Sequence, residues 1–197
     1  VTHATSSPVG IVTERLYLNN TGGPGEWNWT TSGSGFNVKS SNNPKSPATK
    51  SIKGTTDTSG SYAQGAIPAG SFNVGTATVL NIYVRSKATW QNKRGLQVGL
   101  YSTGVLKGNL VPINTSGTWG YDSSVTASYQ QVAIPVNVFN VPAGSTINQV
   151  RIIDFGGSIG FYLGDIYFQG GAVVPSPTVL PLNCTSGDYL IAANAVI

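Results

Sequence analysis

Val79-Leu80-Asn81-Ile82-Tyr83-Val84-Arg85 alternates apolar and polar side chains without a break. Successive side chains of an extended strand point to opposite faces of its sheet. Leu80, Ile82 and Val84 therefore share one face, and Asn81, Tyr83 and Arg85 the other. A period of two is a strand signal, since a helix would gather residues three and four apart.

The same period recurs along the chain. Leu96, Val98 and Leu100 oppose Gln97, Gly99 and Tyr101. Gln130, Val132 and Ile134 oppose Tyr129, Gln131 and Ala133, and Val150 and Ile152 oppose Gln149, Arg151 and Ile153. Including these, strand-like runs fall at Ile11–Leu18, Trp27–Thr31, Phe36–Ser40, Lys50–Gly54, Tyr62–Ile67, Ala77–Arg85, Leu96–Tyr101, Ser128–Pro135, Ile147–Ile153 and Phe161–Phe168. Gly, Pro, Asn and Ser clusters separate them at the rhythm of a sandwich or barrel. The expectation is an all-β fold of two packed antiparallel sheets, with the aliphatic sets forming the core. Trp27 and Trp29 share a strand face and are expected in core or edge packing.

Composition narrows the function classes. Charged residues make up 9% of the 197, against about 25% in ordinary soluble domains. Solubility therefore rests on hydroxyls and amides, a surface common on proteins that work outside a cell or on a virus particle. The net charge is +4, but the 11 basic residues are scattered, the nearest grouping being Lys87, Lys93 and Arg94. Nucleic acid needs a basic stripe for its phosphates, and none is present. No apolar run is long enough to cross a bilayer, so membrane insertion is not expected. Cys184 is the single cysteine, which excludes an intrachain disulfide, and the one histidine is His3. The chain opens without Met or a charged-then-apolar leader, as a mature product or an excised fragment would. Sequons at Asn19, Asn28, Asn114 and Asn183 are what chance supplies in a chain this rich in Asn, Ser and Thr.

Catalytic chemistry finds little support. Glycoside hydrolysis needs two carboxylates at a set separation. The seven acids, Glu14, Glu26, Asp57, Asp122, Asp154, Asp165 and Asp188, are dispersed with nothing to pair them. A serine or cysteine nucleophile lacks a usable histidine, and no metal-protease, phosphate-loop or C-x-x-C motif occurs. The expectation is a protein that is not an enzyme.

Binding has more to offer. Tyr83, Arg85, Gln97, Tyr101, Tyr129, Gln131 and Arg151 lie opposite the aliphatic sets. An aromatic ring stacks on the C–H face of a pyranose, and amides and guanidinium groups hydrogen-bond its hydroxyls. The same residues also make an ordinary solvated sheet exterior, and both readings stand. Loop aromatics form a second candidate surface: Trp90 with Arg94, and Trp119 with Tyr121 amid Gly and Ser. The competing reading folds these rings back onto the sandwich.

After Gly171 the texture changes. Residues 173–197 carry closely spaced prolines and end in an apolar stretch, Tyr189 to Ile197. They read as an extended C-terminal segment that docks on the sandwich, pairs with another subunit or leads into a further module. The sandwich itself is assigned to residues 1–172.

Two groups of segments carry a family resemblance. The first is Arg15-Leu16-Tyr17-Leu18, Glu26-Trp27-Asn28-Trp29 and Ser51-Ile52-Lys53. The second is Ile147-Asn148-Gln149-Val150-Arg151-Ile152 and Gly160-Phe161-Tyr162-Leu163-Gly164-Asp165-Ile166-Tyr167-Phe168. Together they resemble the galactose-binding-like jelly roll of carbohydrate-binding modules, over about residues 10–170. The resemblance implies a jelly-roll β-sandwich that recognises a glycan, by a concave sheet face or by edge loops. It also implies a structural calcium ion at Asp165, although Gly164 stands where the family's usual first aspartate would be. Calcium prefers six to eight oxygen ligands. Asp165 otherwise caps a loop or pairs with a basic residue.

Two functions follow as expectations. The first is a non-catalytic carbohydrate-binding module acting on a glycan or polysaccharide, outside the cell or at a cell or virion surface. The second is a structural or adhesion module of a virion, such as a phage fibre or decoration protein, or of a bacterial surface, with self-association through the C-terminal segment.

Overall fold

A computed structural model describes residues 13–19, 25–56, 60–90, 95–114, 118–155 and 159–170. Arg94 and the C-terminal segment 173–197, with Cys184, lie outside the described residues, as does His3.

Two six-stranded antiparallel sheets form the molecule. The first runs β11 (Gln130–Pro135), β7 (Ala77–Ser86), β14 (Ile159–Gly170), β4 (Ser51–Thr56), β3 (Phe36–Ser40), with β1 (Thr13–Tyr17) also on β14. The second runs β10 (Val111–Ile113), β8 (Gly95–Ser102), β13 (Gln149–Phe155), β5 (Tyr62–Ala66), β2 (Asn28–Ser32), with β9 (Val105–Leu106) also on β8. A two-stranded ribbon, β6 (Phe72–Asn73) with β12 (Thr146–Ile147), lies apart from both sheets. This is the sandwich that the alternation predicts, and it is a jelly roll.

The core is the aliphatic set read from the sequence. Leu80, Ile82, Val84, Leu96, Val98, Leu100, Val132, Ile134, Val150 and Ile152 are all fully buried. Trp27 and Trp29 join it, as expected. Their indole N–H groups find acceptors in Glu14 Oε1 (2.9 Å) and Leu16 O (2.8 Å), which a buried indole requires. Tyr17 meets Trp29 edge to face at 5.6 Å and donates its hydroxyl to Val38 O.

β14 is the longest strand and changes neighbours partway along. Ile159–Leu163 pairs with β4, and Ile166–Gln169 pairs with β1, so that Thr13 stands opposite Gln169. The change falls where the register against β7 slips between Leu163 and Ile166, a β-bulge that leaves Gly164 and Asp165 opposite a single residue. A Cβ at residue 164 would stand 2.6 Å from Lys45 Cβ, so this position has no room for a side chain. The space that the first aspartate of the resembling motif would take is thus filled by Lys45.

Candidate functional site

The outer face of the second sheet is a regular lattice. Register places Ser32, Tyr62, Ile153, Gln97 and Pro112 in one row across five strands. The next row holds Thr30, Gln64, Arg151 and Gly99, and the third Asn28, Ala66, Gln149, Tyr101 and Leu106. Adjacent strands lie about 4.8 Å apart, so the polar side chains repeat at that interval along each row.

Arg151 is the centre of this face. Its guanidinium lies 4.7 Å from the Tyr62 ring centroid and 4.1 Å from that of Tyr101, a cation held between two π faces. Its Nε donates to Gln64 Oε1 at 2.7 Å, which fixes the plane of the fork. Beneath, a Cβ at Gly99 would stand 2.7 Å from Tyr101 Cε2 and from Leu110 Cδ2, so glycine lets the tyrosine lie low on the sheet. Gln149 turns aside to accept from Gly104 N, bracing the β8–β9 hairpin. Thr103 (φ 47°) and Gly104 (φ 81°) both take the left-handed conformation that a tight two-residue hairpin requires. The result is a surface of the half-buried Tyr62 ring, amides and one fixed cation, with Tyr101, 8% exposed, seated beneath the guanidinium.

The sequence places Tyr83, Arg85, Gln97, Tyr101 and Arg151 in one candidate set, and the structure divides them. Gln97, Tyr101 and Arg151 share the face just described. Tyr83 and Arg85, with Tyr129 and Gln131, lie on the outer face of the first sheet, on the far side of the core.

That second face is occupied by the protein itself. Tyr129 donates to Asn43 O at 2.6 Å, and Arg85 donates to Asn43 Oδ1 and Thr126 O, both at 3.0 Å. Lys45 sits 4.0 Å over the Tyr83 ring. The loop between β3 and β4 thus crosses β14 and is pinned to β7 and to Tyr129. Burial drives the Tyr129 hydroxyl well above the ordinary tyrosine value, against the opposing pull of Arg85. Gln131 is engaged too, by Tyr83 and Asn81.

The loop aromatics are corrected by the structure. Trp90 is 4% exposed and Tyr121 is 0% exposed, so neither offers a ring face to a ligand. They pack on each other at 4.9 Å, and Trp90 also meets Phe161 edge to face. Tyr121 shares a buried hydrogen bond with Ser86, and burial raises its pKa. Trp119 is half-buried against the core, with its indole N–H on Pro112 O at 3.0 Å. The apolar gain of covering large rings outweighs the local pull of their Gly- and Ser-rich surroundings.

Asp165 is buried at the β14 bulge and pairs with Arg15, Nε to Oδ1, at 3.5 Å. Burial raises its pKa, Arg15 and Lys45 oppose that rise, and Glu26 adds to it. The side chains around it do not suit calcium. Glu26 Oε1 already accepts from Leu18 N and Asn19 N, and the charged partner of Asp165 is a guanidinium, where calcium prefers six to eight oxygens. Among the described residues no three His, Cys, Asp or Glu side chains converge. The other described acids have structural partners or are buried: Glu14 accepts from Trp27, Asp122 accepts from Ser124, and Asp154 is 1% exposed.

Sequence reading passed over Tyr62 and Gln64. Their strand alternates as strictly as the others, but its inward positions are Ala63 and Gly65 rather than aliphatics. The indole of Trp29 fills that space, since a Cβ at Gly65 would stand 2.6 Å from its Cε2.

Solved structures that share this architecture include carbohydrate-binding modules. A mutant family 29 module complexed with mannohexaose is similar over 83% of this chain and 94% of its own, with a TM-score of 0.51 and 9% identity. A family 11 module of a Clostridium thermocellum cellulosomal cellulase is similar over 84% and 97%, with a TM-score of 0.50 and 18% identity. A Clostridium thermocellum xylanase with family 22 binding and GH10 modules, complexed with xylohexaose, matches 90% of this chain and 30% of its own, with a TM-score of 0.53 and 14% identity. At such identities the likeness establishes the fold. No protein-family profile matches the sequence, and no curated protein does.

Proposed function

We propose that this chain is a non-catalytic carbohydrate-binding module that holds an extended glycan across the outer face of β2, β5, β13, β8 and β10. The observation that carries the reading is the Tyr62–Arg151–Tyr101 stack with Gln64 and Gln97 beside it on one open sheet face. Rings supply the contact for sugar C–H groups, and amides and the guanidinium fork supply directional donors for hydroxyls. Rigid aromatics and a tethered arginine are ordered before the ligand arrives, which lowers the cost of binding. The similar solved modules, which include complexes with mannohexaose and xylohexaose, support the choice of ligand class. A shallow face fits a polymer lying across it rather than a small molecule in a pocket. The low charge and amide-rich surface suit work outside a cell or at a cell or particle surface.

A glycan array followed by affinity electrophoresis in soluble polysaccharides tests this. Retention of the wild type, lost in Tyr62→Ala and Tyr101→Ala variants that still melt cooperatively, is the expected result. A wild type retained by no polysaccharide, and blank on the array, overturns the reading.

A further inference from the structure

Among the described residues Arg151 is a cation without a carboxylate partner. Its Nε is committed to Gln64, but neither Nη has a hydrogen-bond partner among the described residues. The lattice around it carries Ser32, Thr30, Asn28, Gln64, Gln97 and Gln149, with no carboxylate among them. Among the described residues the carboxylate ion pair, Arg15 with Asp165, lies in the other sheet. An arginine used only as structural filler would be expected to meet an acid or backbone carbonyls. This one is clamped by two rings and one amide, so its two remaining nitrogens keep a fixed direction.

We propose that the face selects an acidic glycan, with Arg151 as the residue that receives a carboxylate of a uronate-type sugar through both Nη atoms. This specificity rests on the glycan-binding reading above. A planar fork and a carboxylate match in geometry, and their paired hydrogen bonds are charge-assisted. Tyr62 and Tyr101 partly shield the fork from water, which raises the value of the pair over an open surface contact. Preordering by the ring clamp and by Gln64 removes the rotamer cost a free arginine would pay. The net charge of +4 favours approach of a polyanion without supplying a stripe for nucleic acid.

Matched polysaccharide pairs test the proposal: carboxymethyl- against hydroxyethyl-cellulose, and polygalacturonate against its methyl ester. The expected result is retention of the acidic member about tenfold or more above its neutral partner in at least one pair, since a hydrogen bond to a charged group is worth about that factor. The preference should weaken in about 0.5 M salt, where screening is short-ranged. Arg151→Gln should abolish the preference, so that the acidic and neutral members of a pair are retained alike, and Arg151→Lys, which keeps the charge but loses the fork, should keep only part of it. Gln64→Ala, which frees the Nε without touching the charge, should weaken it as well, and it serves as the second variant if Arg151→Gln does not fold. Equal retention of acidic and neutral partners, or an array that responds only to neutral glycans, overturns the acidic specificity and leaves the glycan-binding reading standing. A protein that binds no glycan of either kind overturns both.

Discussion

Tyr101 lies over Gly99, two positions along the same strand, with so little space between them that a Cβ at residue 99 would stand 2.7 Å from the tyrosine Cε2. The atoms in conflict are the far ends of Tyr101 and Leu110, which can turn aside. Gly99→Ala should therefore cost little stability, about 1 kcal/mol, yet lift the ring out of the Arg151 clamp and weaken glycan retention. Comparing urea denaturation with affinity electrophoresis checks this. Unchanged retention would mean that the low seat of Tyr101 does not matter to the ligand.

Gly54 presents the opposite case. A Cβ there would stand 2.1 Å from Phe161 Cζ, and Phe161 is fully buried between Phe36 and Trp90. Gly54→Ala should destabilise by about 3 kcal/mol, because a caged ring cannot move aside. Chemical denaturation reads the loss, and a change under about 1 kcal/mol would show that the ring has room.

Trp90 and Tyr121 should behave as core residues. Trp90→Ala is expected to cost about 3–5 kcal/mol. Tyr121→Phe, which strands Ser86, should cost about 1–2 kcal/mol. In folded Tyr121→Phe protein, glycan retention should match the wild type. A selective loss of binding with normal stability would return these loops to the ligand surface.

The Arg15–Asp165 pair sets a pH dependence. The carboxyl has a raised pKa in the fold, chiefly from burial, so the native state holds its proton more tightly than the unfolded chain. Stability from this group is thus full below its ordinary value of 3.8 and declines as pH rises through the folded value. Asp165→Asn should raise the melting temperature relative to wild type at neutral pH, with the gap closing towards pH 3.8. Added calcium or a chelator should leave the wild-type melting temperature unchanged. A fall on chelation would show that oxygens do gather round Asp165 and that Arg15 is not its main partner.

Much of the fold is legible in the sequence, for a physical reason. Val79–Arg85 and Gln149–Ile153 alternate because one side of each strand is sealed in the core. The short strands are not legible: three residues at Val111–Ile113, with Pro112 at the centre, leave no period to detect. Nor is the division of the outward residues between two sheets. Tyr83 and Tyr101 sit in near-identical local patterns, and only pairing with distant strands sends them to opposite sides of the molecule. Trp90 is hidden by Tyr121 and Phe161, both remote in the chain, and nothing beside it in sequence signals that cover. Of the candidate face, Gln97, Tyr101 and Arg151 were therefore readable, while Tyr62 and Gln64 were hidden by their small inward neighbours.

The pairing of Thr13 with Gln169 has a mechanical consequence. Among the described residues the first strand, β1, starts beside the end of the last, β14, at one end of the same ladder. Tension applied between those two ends loads the hydrogen bonds one after another, beginning at Thr13, instead of shearing them all together. β1 would peel from β14 at low force and slip its hold on Leu16 and Tyr17, while β2, β5, β13 and β8, which carry the clamp, stay out of the line of pull. A module anchored through its ends and gripping a polymer with its opposite face would yield first at the tether and last at the grip.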